Sequence, residues 1–241
     1  MSLVEHAQQL VSDLEGMTFS EPVAMTYNPL TYAWGNHSQY LTRYGAGKKR
    51  VLFLGMNPGP WGMSQTGVPF GEIAAVRDWM KLDGEISKPA QEHPKRPVEG
   101  YACQKSEVSG KRLWGYFAER YPEAGDFFAE HFVVNYCPLV WMSETGANIT
   151  PDKLSKAVMK PIEEACMQHL IAVIRELEPE WLVGVGAFAE KRLLQAKKQL
   201  GDEALKVGKV LHPSPASPAA NRGWAEAAEK QLVEQGIISV Y

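Results

Sequence analysis

Hydrophobic and polar positions alternate along the chain with two different periods. Four short, largely apolar runs stand out: Arg50–Met56, Phe132–Tyr136, Trp181–Gly186 and Val207–Leu211. Their length suits strands rather than helices. Between them the helical period dominates. Leu3, Val4, Ala7, Leu10, Val11 and Leu14 fall on one face, with Ser2 placed to cap it. Glu72–Leu82 reads as a helix with Ile73, Val76, Trp79 and Met80 inward. Thr150-Pro151 supplies a cap and a first-position proline for another. After Pro161, the residues Ile162, Ala165, Cys166, His169, Leu170 and Val173 form one stripe, on which His169 reads as a core histidine rather than a ligand. Residues 187–200 and 222–235 are the last two helices. Residues 17–47 lack a clean period, and 83–110 form a long loop rich in Pro, Gly and Lys, of a length that in compact domains tends to carry function.

Strands separated by helices predict an α/β fold: a three-layer α/β/α sandwich around a central four-stranded parallel sheet, as one domain over residues 1–241. In such sheets ligands gather beyond the carboxyl ends of the strands. The first run ends at Met56-Asn57, the second at Asn135-Tyr136 and the fourth at His212. Three of four strands thus carry a hydrogen-bonding side chain to one rim. The first leaves through Gly55, Asn57, Pro58, Gly59, Pro60 and Gly62. So stiff and bare a turn suits something flat held against exposed main chain.

Composition narrows the setting. The 241 residues are 45% hydrophobic and 22% charged, with net charge −3, so no global field draws the chain to nucleic acid or membrane. Basic surface is local: Lys48-Lys49-Arg50, Lys95-Arg96 and Lys111-Arg112. Cys103, Cys137 and Cys166 form no CxxC and the histidines no HExxH, which points to a reducing compartment with no disulfide frame and no zinc or iron–sulfur site. Neither a secretory signal nor a membrane-length apolar run is present. An intracellular, monomeric protein that needs no metal or cofactor is the expectation.

Asn57, Asn135 and His212 include no carboxylate and no nucleophile. An amide orients a water or reads a donor–acceptor edge; a histidine donates to a developing anion; Phe70, in the loop GVPFGE, can stack on a flat ring. Together they suit a planar heterocycle that departs with negative charge. One competing motif is Gly184–Ala189, which matches GxGxxA between a strand and a helix. The strand after it ends in His212 rather than an acidic residue, so packing glycines explain the motif better than a dinucleotide.

The segments GMNPGPWGMSQTGVPFGE, VVNYCPL and HPSPASPAANRGW closely resemble the motifs of the single-strand-selective monofunctional uracil-DNA glycosylases, within the uracil-DNA glycosylase superfamily. The likeness extends through YNPLTYAWGNHSQYLTRY, QEHPKRPV and SEVSGKRLWG, nearly the whole chain from Tyr27 to Trp224. It implies hydrolytic excision of uracil, and of 5-substituted uracils such as 5-hydroxymethyluracil, from single- and double-stranded DNA in base-excision repair, by way of a flipped-out base. Phe70 would stack on the base and Asn135 read its N3–H and O4. Main-chain N–H groups around Met56 and Asn57 would bind ring carbonyls. His212 would donate to O2, and Asn57 would position the water. Gly59 would leave room at the C5 edge. Pro213–Arg222, including Ser214 and Pro215, resembles the family's intercalating loop, with Ala216 where the family's vertebrate members carry arginine. Lys111, Arg112 and Arg222 are candidate phosphate contacts. No lysine stands in the catalytic motifs, so lyase chemistry is not expected. A non-catalytic lesion-binding protein is the alternative, on the ground that Asn57 stands where some relatives carry aspartate.

Overall fold

In the computed structural model, residues 1–239 are described. The four runs become the strands of one parallel sheet. In chain order the strands are β1 (Met25–Tyr27), β2 (Val51–Gly55), β3 (His131–Asn135), β4 (Val140–Met142), β5 (Asn148–Ile149), β6 (Trp181–Val185) and β7 (Lys206–Val210). The parallel sheet runs β3-β2-β6-β7, and β1, β4 and β5 make a small antiparallel sheet beside it. In β2, β3 and most of β6 every residue is buried, as parallel strands covered on both faces require. The chain steps from β2 to β3 on one side and then to β6 and β7 on the other. This reversal opens a crevice at the carboxyl end of β2.

Helices cover both faces. Leu3–Asp13 starts where expected: Ser2 Oγ accepts from the Glu5 N–H at 3.3 Å, and Glu5 Oε2 accepts from the Ser2 N–H at 2.6 Å, a reciprocal cap. Ala187–Leu200 packs on β6 and β7, and there Gly184 has its purpose. A Cβ on it would lie 2.3 Å from the Glu190 nitrogen of that helix. Both sheet edges are blunted by side chains. At β3 the Tyr40 hydroxyl donates to the Val133 carbonyl at 2.9 Å. At β7 the Gln235 amide accepts from the Lys209 N–H at 2.9 Å and donates to the Lys209 carbonyl at 2.8 Å, doing what a neighbouring strand would do.

Several elements differ from the sequence expectation. Residues 17–47 contain β1 and the helices Pro29–Tyr32 and Trp34–Tyr44. The inward face of Trp34–Tyr44 includes Asn36 and His37, whose side chains meet the carbonyls of Thr66 and Gly67, so polar core contacts mask its period. Within Glu72–Leu82 the regular element is a π-helical turn, Ala75–Trp79, with Ile73, Val76 and Met80 buried and Trp79 half-buried. Thr150-Pro151 opens only the 3₁₀ turn Pro151–Lys153. The long helix is Lys156–Leu177, capped by Ser155 and continuing through Pro161. On it, burial lowers His169 to about 3, so its ring is neutral, as a core histidine should be. The helices Val108–Arg120 and Ala124–Glu130 fill the span between the long loop and β3.

An aromatic cluster joins the layers. Phe127, fully buried, lies 4.4 Å from Phe117 and 4.8 Å from His131 between ring centroids, the latter stacked. Phe127→Ala is expected to lower stability by about 3–5 kcal/mol, measured as a fall in the urea midpoint. A loss below about 1 kcal/mol would mean the cluster does not tie helix to sheet.

Candidate active site

Glycine ends β2. A Cβ on Gly55 would lie 2.2 Å from Asn135 Oδ1 and 2.5 Å from the Phe70 ring, so both side chains rest on bare main chain. Past it, the carbonyls of Gly55 and Met56 accept from the N–H groups of Tyr136 and Cys137, each at 3.0 Å. The N–H groups of Met56 and Asn57 bond to nothing among the described residues, as a turn that presents donors should leave them.

Asn135 sits at the end of β3, buried. Its Nδ2 donates to Met63 Sδ at 3.3 Å, and its Oδ1 is buried with no partner. A thioether is a weak acceptor, so this amide holds one weak bond and one open acceptor. Phe70 is held over it in a left-handed conformation at φ +53°, which a bulky residue adopts only under constraint. Three bonds supply it: Trp114 Nε1 to the Pro69 carbonyl at 3.1 Å, the Gly71 N–H to the Val68 carbonyl at 2.8 Å, and Thr66 Oγ1 to the Gly71 carbonyl at 3.0 Å.

His212 follows β7 and faces Phe70, ring centroids 6.3 Å apart. Gly186 makes room for it: at φ +92°, a Cβ there would lie 3.0 Å from His212 Cβ. The Ser214 N–H donates to His212 Nδ1 at 3.1 Å. That bond makes Nδ1 the acceptor and puts the ring proton on Nε2. Burial also lowers the imidazole below its ordinary value, so the neutral Nε2–H form prevails at neutral pH. Asn57 Nδ2 donates to the Leu139 carbonyl at 3.1 Å, which leaves Asn57 Oδ1 as an acceptor for an outside donor.

The structure thus brings Met56, Asn57, Phe70, Asn135 and His212 to one crevice. Gly59 lies on the same turn, but the space beside it is taken by the Glu107 carboxyl, whose Oε2 would lie 2.7 Å from a Cβ there, so this contact does not supply the room at the C5 edge expected from the sequence. The other candidates lie around it. Pro215 and Ala216 are exposed at the tip of the loop, with Ser214 at its root. Arg112 grips that loop: Nη1 donates to the carbonyls of Pro213 at 3.0 Å and Ser214 at 3.3 Å, and Nη2 to Asn221 Oδ1 at 2.9 Å. Lys111 and Arg222 are exposed. Of the other basic runs, Lys48-Lys49-Arg50 is tied into the fold through Glu178, the Phe128 carbonyl and Glu130. Arg96 lies 5.0 Å and Lys105 4.4 Å from the ring centre of Trp61. Sequence reasoning missed Glu107 and Met63, whose contacts cross between segments and leave no local signal.

Among the described residues no cluster of three or more His, Cys, Asp or Glu could hold a metal, and no helix is long and apolar enough to cross a membrane. The uracil DNA glycosylase superfamily model matches residues 42–233. The Single-strand selective monofunctional uracil-DNA glycosylase of Rattus norvegicus is 46% identical over 235 residues, covering 98% of this chain and 84% of that protein. Its Bos taurus counterpart is 47% identical over 230 residues, covering 95% and 84%. The crystal structure of wild-type Pedobacter heparinus SMUG2 superposes with a TM-score of 0.68 at 18% identity, covering 98% of each chain, a likeness of fold. The chain therefore belongs to the single-strand selective monofunctional uracil-DNA glycosylases of the uracil DNA glycosylase superfamily.

Proposed function

We propose that this protein excises uracil from DNA by hydrolysis of the N-glycosidic bond, without lyase activity, as a step of base-excision repair. The observation that carries the reading is the open Oδ1 of Asn135, a buried acceptor with no partner beside an aromatic ring and a neutral imidazole. A buried orphan acceptor is costly, and the N3–H of an extruded uracil satisfies it while O4 replaces Met63 Sδ as acceptor for Nδ2. Cytosine presents the opposite pattern on that edge, with an acceptor at N3 and donors at N4.

The chemistry follows from the hydrogen bonds. The base enters the crevice, because its glycosidic bond is out of reach inside a duplex. Phe70 stacks on it, and the N–H groups of Met56 and Asn57 take ring carbonyls. As the bond from the sugar C1′ to the base nitrogen breaks, its electron pair leaves with the base and charge gathers on O2. His212 Nε2–H donates to that oxygen. It acts as a neutral donor, because the Ser214 N–H occupies the Nδ1 lone pair. A water held by Asn57 Oδ1 adds to the sugar cation and loses a proton to solvent. Departure precedes attack, so an amide suffices where a general base is absent. Uracils with a small 5-substituent, such as 5-hydroxymethyluracil, belong to the proposed substrate class.

His212→Ala and Asn57→Ala should each slow uracil release from a single-stranded oligonucleotide by about 10²-fold or more, followed as alkali-dependent strand cleavage. Normal release by the His212 variant would remove leaving-group stabilisation from the mechanism. At pH 7, nitrogen-correlated NMR should show His212 as the neutral Nε2–H tautomer; a charged ring or an Nδ1–H form would contradict the assigned donor. Arg112→Ala frees the loop after His212 and should reduce kcat/KM about tenfold or more, the loss being larger on duplex than on single-stranded substrate. An equal loss on both would mean that Arg112 does not act through the loop.

A further inference from the structure

Glu107 immediately precedes the helix Val108–Arg120, yet its side chain does not cap that helix. Its carboxyl turns inward. A Cβ on Gly62 would lie 2.1 Å from Oε2 and one on Gly59 would lie 2.7 Å from it. The carboxyl therefore fills the space that two bare residues of the first-motif turn leave open. Oε2 is fully buried and makes no hydrogen bond of full geometry; the donor that faces it is the main-chain N–H of Gly62. The same end of the helix touches two other parts of the site: a Cβ on Gly110 would lie 2.1 Å from the Phe70 carbonyl, and Arg112 grips the loop after His212. One helical end thus abuts the turn, the main chain of Phe70 and the loop.

A buried, incompletely bonded carboxyl works against folding, and a hydrocarbon or an amide there would be better tolerated. Such a conflict between local rule and fold is expected where function demands it. We infer that Glu107 is a positioning residue for uracil excision: its carboxyl is an acceptor that steadies the Gly59–Gly62 turn, and through it the Met56 and Asn57 groups that bind the base and the water. This rests on the reaction proposed above.

Burial raises the carboxyl from its ordinary value to about 7; the Glu72 carboxylate adds to the rise and the main-chain N–H of Gly62 opposes it. Glu72 is the charge that acts from the Phe70 loop, and the turn itself offers only main-chain groups at Gly59 and Gly62. From its own helix, Lys111 meets Glu107 through the main chain, its N–H on the Glu107 carbonyl at 2.8 Å. The sign of the linkage is fixed. A carboxyl raised on folding destabilises the fold as pH climbs from the unfolded value to the folded one. The effect is fully present above about 7 and absent below the unfolded carboxylate range.

The test compares Glu107→Leu and Glu107→Gln in the full chain, reading uracil release from a single-stranded oligonucleotide together with thermal stability. At about pH 8 both variants should melt higher than wild type, by roughly 2–4 °C or more, and the gain should disappear at acidic pH. Leu, which offers no acceptor, should lower kcat about tenfold. Gln, whose amide oxygen still accepts from the turn, should stay within about threefold and lack the ionisation near neutrality that shapes the wild-type pH profile. Unchanged kcat and pH profile in Glu107→Leu would overturn the inference, as would a kcat that falls only in step with a falling melting temperature. No uracil release by the wild-type protein would instead sink the proposed reaction.

Discussion

Everything in the crevice depends on close approach of side chains to main chain at the ends of two strands. Gly55 admits the Asn135 amide and the Phe70 ring to within van der Waals distance of β2, and Gly186 admits His212 to the end of β6. Any side chain at Gly55 would collide with both partners. This constraint explains why the chain leaves a fully buried strand through a bare and stiff turn. The donors and the ring must converge from three separate segments, and only exposed backbone leaves space for a flat base among them. Interior close packing does the rest, because neighbouring side chains have few alternative positions.

Around that contact the polar groups are set in complementary states. Asn57 is anchored through its NH₂ and Asn135 holds an open oxygen. In both, the NH₂ end donates within the protein, to the Leu139 carbonyl or to Met63 Sδ, and the oxygen is left to accept from an outside donor. His212 is neutral and donates from Nε2 because a main-chain N–H from its own loop takes Nδ1. The loop that flanks the pocket is therefore coupled to the tautomer of the leaving-group donor. Arg112 holds the root of that loop and Glu107 packs against the first-motif turn. Both lie near the start of one helix, so that helix relates the two sides of the crevice.

Much of this was legible in the sequence, for physical reasons. Buried parallel strands are continuous apolar runs, so β2, β3 and β6 declare themselves, while the edge strand β7, with Lys206 and Lys209 exposed, shows only its valines; the rule that ligands collect at the carboxyl ends of such strands points to Asn57, Asn135 and His212. The helix Trp34–Tyr44 is hidden because Asn36, His37 and Tyr40 turn inward and bond to carbonyls of distant segments. The three short strands β1, β4 and β5 carry too few residues for a period to show. Arg112 in sequence is one more surface cation; that its guanidinium bonds loop carbonyls is a tertiary fact. Glu107 gives no signal at all, since its setting is created by glycines more than 40 residues away. Gly184 and Gly186 are visible but ambiguous, and packing against Glu190 and His212 resolves them.

The central claim is that an extruded uracil occupies the space between Phe70, Asn135 and His212. A crystal structure with single-stranded DNA carrying a non-hydrolysable deoxyuridine analogue tests it most directly. The base should lie on the Phe70 ring with N3–H on Asn135 Oδ1 and O2 at His212 Nε2. A base that remains stacked in the strand, or that enters a different cavity with Asn135 Oδ1 still unbonded, would contradict the account.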